Sequence, residues 1–326
     1  MFVDRLIDAI VKKDNPSVFG LDPRIEYIPK FITDKYCCDC EDGGCGNIKN
    51  SIESGIKNRY ESSFENEAMA IFEFNMALID VLHDIIPAVK LQLACYEMFG
   101  LHGISTMYKT IKYAKEKGLL VICDAKRNDI GSSAEGYSAA FLGKTRKISA
   151  HELSSVFDAD AVTVNPYLGI DGVKPFIDDC CKYGKGIFIL VKTSNKSGGQ
   201  IQDLLTAGGK KVYEIVAGYV KEWGKGAGLT GKYGYSSIGA VVGATYPSQA
   251  TELRKIMPHA FILVPGYGAQ GGSADDAACN FNPEDGLGAL VNASRSIMCA
   301  WMKPSGKEIS NSKEMVKESD TEELKK

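Results

Sequence analysis

Eight short apolar, β-branched runs recur along this chain, at residues 17–21, 86–94, 119–123, 161–164, 186–191, 238–242, 260–264 and 288–292. Helical stretches separate most of them. A continuous apolar run reads as a strand buried on both faces, as in a parallel sheet covered by helices. Eight βα units with no strand left over specify an α/β fold, a closed (β/α)8 TIM barrel in a single domain. An open doubly wound sheet is the alternative. Its Gly-rich turn belongs after the first strand, whereas the glycines here cluster after the seventh.

The barrel is expected to occupy residues 1–303. Phe2, Leu6, Ile7, Ile10 and Val11 make one helical stripe over residues 2–13, suited to covering an end of the core. Residues 24–62 read as an irregular insertion with Cys37, Cys38, Cys40 and Cys45. Cys37 and Cys40 have zinc-knuckle spacing, but no second pair follows nearby, so no metal is expected. Further helices are predicted over 64–82, 104–117, 133–158, 170–183, a stretch ending near Trp223, and 247–257. Residues 304–326 are highly charged with few apolar positions and read as a tail or a frayed helix.

A formal net charge of −3 gives no electrostatic case for nucleic acid or an anionic membrane as partner. No apolar run approaches the roughly 20 residues needed to span a bilayer. Asp4 and Asp8 interrupt the N-terminus where a secretory signal would be apolar. Cys95, Cys123, Cys279 and Cys299 sit in apolar company and read as small buried hydrophobes. A reduced, cytoplasmic setting is expected.

In a barrel the C-terminal strand ends meet at one mouth, where active sites are built. Those ends carry Asp22, Lys90, Asp124 with Lys126, Asn165, Thr193 with Ser194, the glycines of 266–272, and Arg295. Asp124 and Lys126 are two apart on a strand and share a face. Opposite charges that close stabilise each other's ionised forms. Lys90 lies inside an apolar run, so it needs a partner there. Asp129 falls in a loop that Gly131 allows to turn. Gly266, Gly268, Gly271 and Gly272 let backbone N–H groups approach an anion. Ser294 and Arg295 open a short helix, and Arg295 can clamp a phosphate in bidentate fashion. His83, His102, His151 and His259 fall away from the strand ends and are given no role.

The run Asp124-Ala-Lys126-Arg-Asn-Asp129-Ile-Gly131 resembles the Asp-x-Lys-x-x-Asp-Ile-Gly motif of the orotidine 5′-phosphate decarboxylase family. Lys90-Leu-Gln-Leu-Ala-Cys-Tyr-Glu, Leu-Val-Lys192-Thr-Ser-Asn and Val-Pro265-Gly-Tyr-Gly-Ala-Gln-Gly-Gly match in the same order. The resemblance runs from about Asp4 to Trp301 and is closest to the longer, type 2 branch. The 37–45 segment and the tail stand outside it.

The resemblance implies decarboxylation of orotidine 5′-phosphate to uridine 5′-phosphate and CO2, with no cofactor and no metal. It assigns Lys126 as proton donor to C6, with Lys90 and Asp124 completing the charged network. Asp129 would reach into a second subunit's site, making a homodimer with shared sites, and Ser133 would accompany it at the ribose. Asp22 would bind a ribose hydroxyl and Ser194 the pyrimidine edge, with Pro265 in the same wall. Gln270, Gly272 and Arg295 would hold the phosphate, and the 195–209 loop would close over the ligand.

Other chemistries share parts of this pattern. Mg2+-dependent sugar-phosphate aldolases and keto-acid phosphate decarboxylases carry a carboxylate where this chain has Lys90. A Schiff-base aldolase would need a neutral amine, which flanking aspartates disfavour at Lys90 or Lys126. A non-catalytic nucleotide-binding protein would be expected to have lost a charged position, and none is lost.

Overall fold

The computed structural model describes residues 1–37, 64–148, 152–268 and 270–302. Helix α1 (Phe2–Lys13) precedes β1 (Ser17–Leu21). Helices α2 (Lys30–Tyr36) and α3 (Glu65–Leu82) come before β2 (Ala88–Gln92). Helices α4 (Ala94–Glu97) and α5 (Gly100–Glu116) then lead to β3 (Leu120–Arg127), which α6 (Gly131–Phe141) follows. A short antiparallel pair, β4 (Thr145–Arg146) with β5 (Leu153–Ser154), precedes β6 (Ala161–Val164). The chain continues through α7 (Ile170–Tyr183), β7 (Gly186–Lys192), α8 (Gly199–Gln202), α9 (Val212–Trp223) and β8 (Ser236–Val242). It ends with α10 (Pro247–Ile256), β9 (Ala260–Val264), α11 (Ala274–Ala278), β10 (Ala289–Ala293) and α12 (Arg295–Met298).

Eight of these strands close a parallel barrel in the order β1-β2-β3-β6-β7-β8-β9-β10, with β10 pairing back onto β1. This is the expected (β/α)8 architecture. Its strands read as apolar runs because both faces are covered, one by helices and one by the barrel interior. Helix α1 plugs one end. Phe2, Val3, Leu6, Ile7 and Ile10 are buried with Val18, Ile122, Phe188, Phe261 and Leu263. The Phe2 and Phe188 rings meet edge to face at 6.0 Å. Val11, expected on the buried stripe, is exposed, and Val3 takes its place. Apart from Asp160, buried against Arg5 of α1, the barrel interior at this end is apolar, and the charged cluster described below collects at the other.

The helix predicted over 133–158 is overturned. α6 stops at Phe141, where Ser138 O accepts the N–H groups of both Leu142 and Gly143. A side chain at Gly143 would meet the Asp179 carboxylate, so the end of α6 lies close against α7. The chain doubles back, and Phe157 stacks on Phe141 at 5.2 Å. Apolar residues at 141, 142, 153, 156 and 157 imitate a helical period without belonging to one helix. Part of the 24–62 stretch is also regular: a 3-10 turn spans Ile25–Tyr27 and α2 follows. Of the cysteines expected to be buried, Cys123 is, while Cys95, Cys279 and Cys299 are partly exposed. Cys38, Cys40, Cys45, His151 and the 304–326 tail lie outside the described residues. Among the described helices, none is long and apolar enough to cross a membrane.

Candidate active site

Strand β3 carries the change from apolar to ionic. The strand runs to Arg127, past the expected end at Cys123. Its pairing with β6 is interrupted between Cys123 and Arg127, a bulge that re-aims the residues within it. Lys126 adopts φ 49, a left-handed conformation that costs a non-glycine residue roughly 1–3 kcal/mol. Thr163 on β6 helps to hold it there, since its Oγ1 accepts the Lys126 N–H at 2.9 Å.

Asp124 is the hub. Its Oδ1 accepts from Lys126 Nζ at 2.6 Å and from Thr163 Oγ1 at 2.9 Å. Its Oδ2 accepts from Lys90 Nζ and from Gln92 Nε2, each at 3.1 Å. Lys90 Nζ also reaches Asp22 Oδ1 at 3.3 Å, and Asp22 Oδ2 accepts from Ser294 Oγ at 2.6 Å. β1, β2, β3, β6 and the turn after β10 therefore feed one continuous polar chain. Gly20 makes room for it, because a Cβ there would overlap Ser294 Oγ at 1.8 Å.

Burial pushes the Asp124 carboxyl up, but Lys90 and Lys126 outweigh it and hold the group well below the usual carboxylate range. Burial likewise pushes Lys90 down, and Asp22 with Asp124 outweigh it and hold its ammonium above the usual lysine value. Both groups are therefore charged at neutral pH. Lys90 is buried, whereas the Lys126 side chain is 45% exposed to the cavity above it. This pairs a fixed buried charge with one that can reach a ligand.

That cavity has a volume of about 540 Å3, within the range of small-molecule sites. Asp22, Lys90, Asp124, Lys126, Ser194, Pro265, Gln270 and Arg295 all line it, as the strand-end reading required. At its rim the glycine turn folds on itself. Gly268 N–H donates to Gly272 O at 2.9 Å and Gly272 N–H to Gly266 O at 3.1 Å. Gly272 thus uses its own N–H within the turn and is not among the lining residues; it shapes the loop that presents Gln270. Arg295 is exposed and makes no ion pair among the described residues. α12 has only four residues, and peptide dipoles add with length, so the positive charge at this rim belongs to Arg295 more than to the helix end.

Three expected residues lie elsewhere. Asn165 does not line the cavity; its Oδ1 accepts from the Tyr167 N–H at 3.0 Å, and Thr163 takes its place on β6. Asp129 lies outside the cavity, with Oδ1 accepting from the Ile130 N–H at 2.8 Å. Ser133 is exposed on α6. Among the described residues of one copy, Lys126 therefore has one carboxylate neighbour rather than two.

Gln92, Thr163, Arg24 and Asn292 line the cavity without having been singled out, as does Cys95, read only as a small buried hydrophobe. Gln92 was within reach of sequence reasoning, since it stands two residues beyond Lys90 on the same strand face. Cys95 stays a thiol. Burial, aided by Asp22, pushes it up to about 11.

Residues 69–304 match the model of the orotidine 5′-phosphate decarboxylase / HUMPS family. A relative from Caldicellulosiruptor saccharolyticus named orotidine 5′-phosphate decarboxylase is 43% identical over 304 residues, covering 92% of this chain and 90% of its own. One of the same name from Rhodopirellula baltica is 42% identical over 299 residues, covering 92% of this chain and 88% of its own. The solved structure of Leishmania donovani UMP synthase superposes with a TM-score of 0.66 at 27% identity, covering 99% of this chain and 55% of that one.

Proposed function

The chain belongs to the orotidine 5′-phosphate decarboxylase / HUMPS family, and from that premise we propose how its own residues perform the chemistry. It is a carboxy-lyase that converts orotidine 5′-phosphate to uridine 5′-phosphate and CO2 in pyrimidine biosynthesis. Loss of CO2 from C6 leaves an electron pair in the plane of the ring, where the π system cannot spread it. Stabilisation must come from a fixed positive charge close to C6. Lys126 supplies that charge and then the proton: its Nζ–H bond breaks as C6–H forms, and solvent reprotonates the amine. Asp124 holds the Lys126 ammonium in place at 2.6 Å, and Lys90 helps to keep Asp124 ionised.

The remaining contacts hold the nucleotide. Asp22 takes a ribose hydroxyl, Ser194 the pyrimidine edge beside Pro265, and Gln270 with Arg295 the phosphate. Phosphate binding remote from C6 helps to fix the ring against the charged network. The barrier reduction required is toward the upper part of the general range of about 8–23 kcal/mol.

Asp129 completes the site from a second copy of the chain. Ile130 next to it is exposed, and so are Leu168 and Ile170 near Gly172, whose position packs against Asp129 O. Burying that surface in a homodimer would bring each Asp129 toward the Lys126 of its partner, with Ser133 beside it.

The observation that carries this proposal is the sharing of Asp124 between two ammonium groups, at 3.1 and 2.6 Å, in a cavity rimmed by Gln270 and Arg295. The test follows the loss of orotidine 5′-phosphate absorbance. The unaltered protein is expected to turn over with or without EDTA, and Lys126→Ala to lose nearly all turnover with an unchanged thermal melt. Near-normal turnover of Lys126→Ala would remove it as proton donor, and EDTA inhibition would point to a metal-dependent reaction.

A further inference from the structure

Lys192 is a buried charge that the chemistry above does not use. It ends β7 immediately before Thr193 and Ser194, and its side chain is 0% exposed. Its Nζ donates to Asp203 Oδ1 at 2.7 Å and lies over the rings of Tyr246 at 4.5 Å and Tyr213 at 5.2 Å. Burying an ammonium is costly, and an apolar chain of the same length would fill this slot more cheaply. The surroundings indicate what the charge is for. Asp203 comes just after α8, in the loop that follows β7. Next to this pair a second link joins the same two segments: Thr193 N–H donates to Gln202 Oε1 at 3.1 Å, and Gln202 Nε2 to Thr193 Oγ1 at 2.7 Å. The residues between are thereby closed into a ring.

The same pair reaches the cavity wall. Tyr246, whose ring lies against the ammonium, donates its hydroxyl to Asn195 O at 3.3 Å. Thr245 Oγ1 donates to Ser194 O at 3.1 Å. Gly243 N–H donates to Lys192 O at 2.8 Å, and a Cβ at Gly243 would stand 2.8 Å from Ser194 Cβ. Thr193, Ser194 and Asn195 all line the cavity, so Lys192 props their wall from behind.

We propose that Lys192 and Asp203 form a latch that pins the 195–203 loop to the end of β7 and so sets the position of the Thr193–Asn195 wall. They are positioning residues, since neither lines the cavity. The proposal rests on the assigned reaction only for the substrate used to read it.

The test uses Asp203→Asn, Lys192→Met and the double variant. Lys192→Met keeps the length of the side chain between the two tyrosines, so the fold is expected to survive. Each single change is expected to raise the KM for orotidine 5′-phosphate about tenfold with kcat within about threefold, because the wall holds ground and transition states alike. The double variant is expected to be no worse than either single one, as for two residues acting through one contact. Independently of turnover, trypsin should cut after Lys196 about tenfold faster in the ligand-free variants than in the parent, since cleavage tracks local opening. Additive effects on KM, or unchanged KM and cleavage with melts intact, would overturn the latch. Absence of turnover in the parent with faster cleavage in the variants would sink the assigned reaction while leaving the latch standing.

Discussion

Thr163 touches more of the charged network than its size suggests. One hydroxyl donates to Asp124 and accepts the backbone N–H of the strained Lys126. Thr163→Val keeps the shape and removes both bonds. The expected loss is about 1–2 kcal/mol of transition-state stabilisation, roughly five- to thirtyfold in kcat/KM, with the thermal melt lowered by only a few degrees. Steady-state kinetics beside a melting curve checks it. Arg295→Ala removes the rim cation and is expected to raise KM and lower kcat; a normal KM would take Arg295 out of phosphate binding. Charge at the hub sets the pH response. Asp124, held low, stabilises the fold above about pH 3.9, and the contribution is lost as pH falls through its depressed folded value. Lys90, held high, contributes fully below about pH 10.4 and loses that contribution as pH rises through its raised value. Neither changes charge between about pH 5 and about pH 9, so kcat/KM is expected to show no inflection from them there. Any inflection in that window should persist unshifted in Asp22→Asn, whose carboxylate touches only Lys90 of the two.

At the scale of elements, β9 and β10 are tied together by the buried Arg254. Arg254, in the last turn of α10, donates to Met257 O, Ala260 O, Asn280 O and Gly288 O at 2.7 to 3.0 Å. It joins the end of α10, the start of β9, the turn after α11 and the entry to β10. Burial draws its guanidinium down to about 10, with Tyr235 and Asp285 opposing the shift. Arg254→Met would leave those carbonyls unpaired, at about 1 kcal/mol each or more, and lower Tm by on the order of 10 °C. A circular dichroism melt within about 2 °C of the parent would show that the clamp is dispensable. Periodicity could not disclose this joint, because its partners are up to 34 residues away from Arg254. The same limit explains α6: local pattern extends the helix to 158, while the Phe157–Phe141 stack turns the chain back.

For the whole molecule, the decisive question is whether one copy suffices. Asp129 lies outside its own cavity, on a surface with exposed Ile130 and Tyr167, so a site with two aspartates at Lys126 needs two copies. Mixing Lys126→Ala with Asp129→Ala is expected to restore part of the activity that each lacks alone. A mixed dimer can hold one site with both an intact Lys126 and an intact Asp129. No recovery after subunit exchange has been demonstrated would count against shared sites. On the shared-site proposal, activity should also fall on dilution below the dissociation constant of the proposed dimer, measured alongside sedimentation.

By itself the sequence determined the number and direction of the barrel strands, and that Asp22, Lys90, Asp124, Lys126, Gln270 and Arg295 reach one mouth. Those outcomes follow from a two-residue side-chain period and from parallel strands joined by helices, both of which are written locally. Tertiary structure alone decided that Thr163 rather than Asn165 supports Asp124, that Gly272 keeps its N–H within its own turn, and that Lys192 is buried against Asp203 and two tyrosines. Each depends on a register shift, a loop closing on itself, or contact between distant segments. Such outcomes are settled by packing, which local pattern does not encode.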